Sequence, residues 1–274
     1  MTNTYQIYLI SDSTGETLDR VFLAIKAQFR NIEYKVKSYF FTRTENQVSK
    51  IIDEAKKNEN AIILYTIVDN NLAKFLGNLS SEEKIPCFSV LGNLILNFSK
   101  LLNQKASHIP SGQYELNKEY YERIEAIQFT MNHDDGNHTE DLNKSDLILL
   151  GVSRTTKTPT SIYLANKGFK TSNIPLVNER SIPESLKKNP KISCTVGLTI
   201  EPERLADIRK NRMVTIKETE NINYTNIQKI KEEVENAKKT FAKYKWPTID
   251  VTRKSVEEVA ASIIKIYQIY KNNV

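Results

Sequence analysis

Apolar positions along the chain fall into short continuous runs, separated by stretches in which they recur every three or four residues. The runs YQIYLIS (Tyr5 to Ser11), Tyr34 to Phe41, AIILYTIV and CFSV after Pro86 read as buried strands. Between them, Leu18, Val21, Phe22, Ile25 and Phe29 share one face of a predicted helix, and Glu45 to Asn58 forms a second. The segment Asn103 to Asn117 interrupts this pattern with polar residues, a proline and a glycine. Beyond it, Tyr121, Ile124, Ile127 and Met131 mark a helix face, DLILL a strand leading into a glycine, and KISCTVGLTI another strand. PERLADIRKNRM reads as a helix with Pro202 in its first turn. Ile227, Ile230, Val234, Ala237, Phe241 and Tyr244 line a long helix, and WPTIDVT a strand. Ser255 and Glu258 form a capping box opening a last helix with Val256, Val259, Ile263, Ile266 and Tyr270 inward.

This alternation predicts an α/β protein with mainly parallel sheets flanked by helices. Two α/β domains are expected: residues 1–104, a linker or crossing loop over 105–117, and a C-terminal nucleotide-binding catalytic domain over 118–274. A chain of 274 residues, 39% hydrophobic and 26% charged, has the composition to bury such cores. The formal charge of +6 and a pI near 9.0 do not point to nucleic acid, because lysines alternate with acidic residues along helical stretches such as KIKEEVENAKK. Cys87 and Cys194 are far apart and lack metal-ligand spacing, which suits two buried thiols in a reducing compartment. With no signal segment and no apolar stretch of about 18 residues, the expectation is a cytoplasmic protein with no membrane partner.

Three segments carry candidate chemistry. In LLGVSRTTKTPTSIYLA a buried strand meets Gly151, and Lys157 and Thr158 follow after five intervening residues. The stretch fits the phosphate-binding pattern G-x-x-x-x-G-K-[ST], except that Thr156 replaces the second glycine. Backbone N–H groups of such a loop and the following helix terminus bind phosphate oxygens. Lys157 would add a full charge, Thr158 a hydroxyl for phosphate or magnesium, and Arg154, Ser153, Thr155 and Thr156 further donors. Pro159 disfavours the helical conformation for Thr158. The plainer alternative is an ordinary Ser/Thr-rich turn. In MNHDDGNH, His133, Asp134, Asp135 and His138 follow a helix, and Gly136 permits a tight turn. Paired aspartates suit orientation and deprotonation of an attacking hydroxyl, and magnesium binding; alone, they read better as a solvated acidic turn, and the loop just downstream shifts the reading toward catalysis. A zinc site is disfavoured, since only two histidines are near and no cysteine accompanies them. SDSTGET, after the first strand, is either a second anion site or a helix start capped by Ser13 or Thr14.

Five motifs occur here in the order seen in the pyruvate, phosphate dikinase regulatory protein family, which the chain resembles over nearly its whole length. They are SDSTGET, YYERIEAIQFTMNHDDG, GVSRTTKTPTSIYLA with its following NIPLV, VGLTIEPERLADIRKNR, and IDVTRKSVEEVAASII. A sister branch acts on phosphoenolpyruvate synthase and tends to carry a glycine before the loop lysine; Thr156 and SDSTGET favour the dikinase branch.

The resemblance implies a bifunctional enzyme whose partner is a protein substrate, pyruvate, phosphate dikinase. It would phosphorylate a threonine beside the dikinase's catalytic histidine with ADP as donor, and remove that phosphate with inorganic phosphate, releasing pyrophosphate. The family's ADP-binding segment maps onto Gly151, Val152, Ser153, Arg154, Thr155, Thr156, Lys157 and Thr158. Lys157 is expected to act in catalysis with Asp134, Asp135 and His133, and magnesium to accompany ADP; the aspartates are assigned by their chemistry and their place in a family motif. A homodimer is allowed. The alternatives are the same regulation of phosphoenolpyruvate synthase, a small-molecule kinase with this loop, or a nucleotide-sensing module that transfers nothing.

Overall fold

The computed structural model describes residues 4–29, 31–114, 116–216 and 222–272. The chain forms two compact units, Met1–Glu115 and Leu116–Val274. In the first, strands β1 (Thr4–Ile10), β2 (Glu33–Tyr39), β3 (Ala61–Tyr65) and β4 (Cys87–Ser89) alternate with helices α1 (Glu16–Lys26), α2 (Glu45–Ala55), α3 (Asn70–Glu82) and α4 (Gly92–Leu102). All pairings are parallel, in the order β2-β1-β3-β4. The central strand β1 ends in four buried residues, whereas the edge strand β2 is largely exposed and carries Lys35 and Lys37, a charge pattern that discourages edge pairing.

The second unit repeats the plan. After α5 (Lys118–Asn132), β5 (Leu147–Gly151), β6 (Thr171–Pro175), β7 (Cys194–Thr199) and β8 (Thr248–Asp250) form a parallel sheet in the order β6-β5-β7-β8. Its helices are α6 (Lys157–Ala165), α7 (Glu184–Lys188), α8 (Pro202–Ile216), α9 (Ile222–Thr225), α10 (Ile227–Tyr244) and α11 (Val256–Asn272). Strands β5 and β7 are buried at every position, as expected of central parallel strands covered on both faces. The core joins them to Ile230, Val234, Ala237 and Phe241 of α10 and Val259, Ala260 and Ile263 of α11. Ser255 and Glu258 cap α11 reciprocally, as their spacing predicts. In both sheets the strand order reverses beside the first strand, and an open α/β sheet offers its ligand crevice at the carboxyl ends of the strands at that reversal.

Two predicted faces differ. On α1 only Leu18 and Phe22 are buried, while Ile25 and Phe29 face solvent. On α5 the buried residues are Ala126 and Thr130, and Tyr121, Ile124 and Met131 are exposed. There a polar contact set the face: the Thr130 hydroxyl accepts the Thr171 N–H at the start of β6. Helix α4 and strand β6 had no predicted counterpart. Strand β6 is the polar sequence TSNIP and carries no apolar period, whereas α4 has Leu94, Ile95, Phe98, Leu101 and Leu102 at helical spacing yet no buried residue.

Candidate active site

Strand β5 delivers its last residue, Gly151, into the crevice beside β7. A Cβ at Gly151 would stand 2.6 Å from the Thr155 hydroxyl and 2.9 Å from the Leu198 carbonyl, so the turn closes only without a side chain. Thr155 is fully buried and donates to the Val152 carbonyl at 2.9 Å. Arg154 and Thr156 take left-handed backbone conformations, with φ 74° and 57°. Helix α6 then starts at Lys157, with Thr156 as N-cap and no side chain capping it. Thr158 is helical despite the following proline, a correction to the expectation that Pro159 would keep it extended. Pro159 lies in the first turn, where its missing N–H has no helical partner to lose.

The acidic turn meets this loop. The Thr158 hydroxyl donates to Asp134 Oδ1 at 3.0 Å, and the Asn173 side-chain amide donates to the same oxygen. Asn173, buried in β6, also accepts the Asp135 N–H at 3.0 Å through Oδ1 and donates its own N–H to the His133 carbonyl at 3.1 Å. One buried asparagine thus fixes three consecutive residues of the HDDG turn beside α6. Asp135 and Gly136 both take positive φ, 53° and 82°. His133 is buried and stacks on Phe129 with ring centroids 3.7 Å apart. Its Nδ1 lies 2.8 Å from the Phe129 carbonyl, which can only accept, and its Nε2 has no protein partner. His138 is exposed and lies 3.1 Å from Glu140, away from Asp134's bonds.

Lys157 is only 6% exposed and folds back so that Nζ donates to the Val152 carbonyl at 3.1 Å. Burial lowers its pKa from 10.5 to about 8; Asp135 and Asp134 oppose that fall, and the charges of Arg154 and Arg209 reinforce it. Arg154 Nε donates to the Tyr224 hydroxyl at 3.2 Å. The loop therefore presents a buried cation, a second cation that among the described residues bonds to the Tyr224 phenol, and an uncapped helix terminus, an arrangement suited to oxyanions. Among the described residues no cluster of three or more His, Cys, Asp or Glu side chains has metal-ligand geometry. Hard oxygen donors are present in Asp134, Asp135 and Thr158, a set that suits magnesium when substrate phosphates supply further ligands.

Asn173, Arg209 and Tyr224 escaped the sequence reading. Asn173 does leave a trace, as an amide among buried strand positions. Arg209 follows Leu205 and Ala206 at the spacing of one helix face, and both are buried; a charge in an apolar stripe is the signal. In the first unit SDSTGET follows β1 and helps line a cavity of about 170 Å³ with Thr66, Val68 and Ser111. Asp12 is buried and accepts the Val68 N–H at 2.7 Å, burial raising its pKa. The N-cap of α1 is Gly15, and neither Ser13 nor Thr14 caps it, contrary to that alternative.

The second unit is thus a parallel α/β sheet whose first strand ends in a cation-bearing turn met by a carboxylate turn. The chain belongs to the kinase/pyrophosphorylase family, which it matches over residues 7–264. It is 82% identical, across the full length of both chains, to the pyruvate, phosphate dikinase regulatory protein of Pelagibacter ubique (strain HTCC1062). Proteins of the same name from Paramagnetospirillum magneticum and Maricaulis maris are 38% and 40% identical, over 96% and 98% of this chain and 84% and 95% of theirs. Among the described residues, no helix is long and apolar enough to cross a membrane.

Proposed function

We propose that this chain is a bifunctional serine/threonine kinase and phosphorylase acting on pyruvate, phosphate dikinase in the cytoplasm. It inactivates the dikinase by transferring the β-phosphoryl group of ADP to a threonine near the catalytic histidine. It reactivates it by phosphorolysis, which yields pyrophosphate. The family, the names of its relatives, and one local observation support this reading. That observation is the bond from Thr158 to Asp134, which holds a carboxylate one residue from the buried Lys157.

In the forward direction the threonine oxygen attacks the β-phosphorus, its proton passes to Asp134 or Asp135, the bond to the bridging oxygen breaks, and AMP leaves. Lys157, Arg154 and the loop N–H groups stabilise the charge on the transferring group. Asp134 and the Thr158 hydroxyl would hold magnesium, which when bound neutralises phosphate charge. In reverse the phosphoryl group of phosphothreonine lies at the β-phosphate position, inorganic phosphate takes the place of the α-phosphate of AMP and attacks that phosphorus, the bond to the threonine oxygen breaks as Asp134 or Asp135 returns its proton, and pyrophosphate leaves. A phosphothreonine brings about −1.5 to −2 charges beside a histidine that must itself carry a phosphoryl group, which accounts for the inactivation.

The test is to mix the purified protein with dikinase phosphorylated on its catalytic histidine and ADP, and to follow phosphothreonine by mass spectrometry. Removal should stall without phosphate and release one pyrophosphate per threonine restored. Full-rate removal in phosphate-free buffer, or no phosphothreonine with ADP, would refute the reading.

A further inference from the structure

Arg209 of α8 is 1% exposed and heads the largest fully buried side chains of the described residues. Its Nη2 pairs with Glu233 of α10 at 2.7 Å and also donates to the Ser153 carbonyl at 3.3 Å. Its Nη1 donates to the Tyr224 carbonyl at 3.2 Å, and the guanidinium lies 4.6 Å from the centre of the Tyr224 ring. The Tyr224 hydroxyl accepts from Arg154 Nε at 3.2 Å and lies 3.5 Å from the Ser153 hydroxyl. Two successive loop residues are thus gripped from outside the loop, Ser153 through its backbone and Arg154 through its side chain.

Packing α8 on α10 does not require a buried guanidinium, whose removal from water costs several kcal/mol and which well-packed apolar residues commonly replace without loss. The loop does need an external hold. It has left-handed backbone at Arg154 and Thr156, where no glycine relieves the steric cost; such conformations persist when their surroundings over-determine them. Tyr224 is a neutral partner, so Arg154 keeps its charge for a ligand. Glu233 pairs with Arg209 at 2.7 Å and offsets part of the buried cation's charge.

We propose that Arg209 and Tyr224 are positioning residues that clamp the loop over residues 153–156 in its diphosphate-binding shape, doing from outside the work that a second glycine does in an ordinary loop. This rests on the reading of the loop as an ADP site. Arg209 acts through the Ser153 carbonyl, and Tyr224 through Arg154.

Isothermal titration with ADP tests it in the full chain, using Arg209→Met, Tyr224→Phe, Arg154→Ala and the Tyr224→Phe/Arg154→Ala double variant, with melting curves to verify folding. Losing the charge-assisted bonds of Arg209 should weaken ADP binding about tenfold or more. Tyr224→Phe should weaken it about threefold, and should have no effect once Arg154 is alanine, since the phenol acts through that side chain. A merely structural role would give Tyr224→Phe the same effect in both backgrounds, and that result overturns the relay. Unchanged ADP affinity in folded Arg209→Met overturns the clamp; if that variant does not fold, unchanged affinity in Tyr224→Phe does so. Failure of the unaltered protein to bind ADP is a separate outcome, which removes the nucleotide reading and the clamp's ligand with it.

Discussion

Replacing Lys157 by methionine should stabilise the protein at neutral pH while abolishing phosphoryl transfer in both directions. A fall in pKa from 10.5 to about 8 corresponds to about 3 kcal/mol of destabilisation wherever the folded and unfolded chains both carry the proton. Below pH 8 both do, and the folded state bears the whole cost of the buried ammonium. Between pH 8 and 10.5 the folded chain has released the proton and the unfolded chain still holds it, so stability rises with pH. Above about 10.5 neither holds it and the cost has vanished. Methionine keeps the unbranched apolar stem. The Val152 carbonyl loses the Lys157 bond, worth about 1 kcal/mol, but still accepts from Thr155. The net gain is therefore about 2 kcal/mol at pH 7. Urea denaturation at pH 7, 9 and 10.5 measures it, and Trp246, the single tryptophan, lies in the core of the second unit and reports that unit. A variant less stable than the parent at pH 7, or an advantage that persists undiminished at pH 10.5, would refute the reasoning.

Asp134→Asn keeps size and a hydrogen-bonding oxygen for Thr158 and Asn173 but removes basicity, and should lower turnover by about 10². ADP titration then separates a base, which leaves affinity unchanged, from a magnesium ligand, which weakens it. Gly151→Ala would drive a methyl group to 2.6 Å from the Thr155 hydroxyl and 2.9 Å from the Leu198 carbonyl, and should cost about 1 to 3 kcal/mol by overpacking, read as a lowered melting temperature.

What the sequence made legible follows from how each element is stabilised. Strands β5 and β7 are held by apolar burial on both faces, and burial writes itself into sequence as DLILL and SCTVGLTI. Strand β6 is held by polar contacts instead: Thr171 by Thr130, Ser172 by Ser145 at 2.7 Å, and Asn173 by the acidic turn. Such partners are remote in sequence and leave no period. The same holds at the site. The strand, glycine and lysine of the loop are local and were readable, and so was the acidic turn as a separate cluster. Their meeting through Asn173 and Thr158, and the grip of Arg209 on Ser153, depend on the sheet order that brings β6 and β7 to either side of β5.

The geometry bears on why a donor with two phosphates suits this loop on the proposed reading. Pro159 is not the cause, because Thr158 before it is helical. The carboxylate turn offers a better cause. In an ordinary loop of this pattern the hydroxyl after the lysine serves the metal beside the terminal phosphates. Here that hydroxyl is bonded to Asp134 Oδ1, which also accepts from the Asn173 amide. When Asp134 holds no magnesium, a third phosphate extending past Lys157 toward the first turn of α6 would bring added negative charge toward that carboxylate, and like charges repel. A hydroxyl nucleophile approaching from that side meets the same carboxylate as a hydrogen-bond acceptor. One residue can therefore discourage the longer donor and orient the acceptor, and both effects scale with the charge on Asp134.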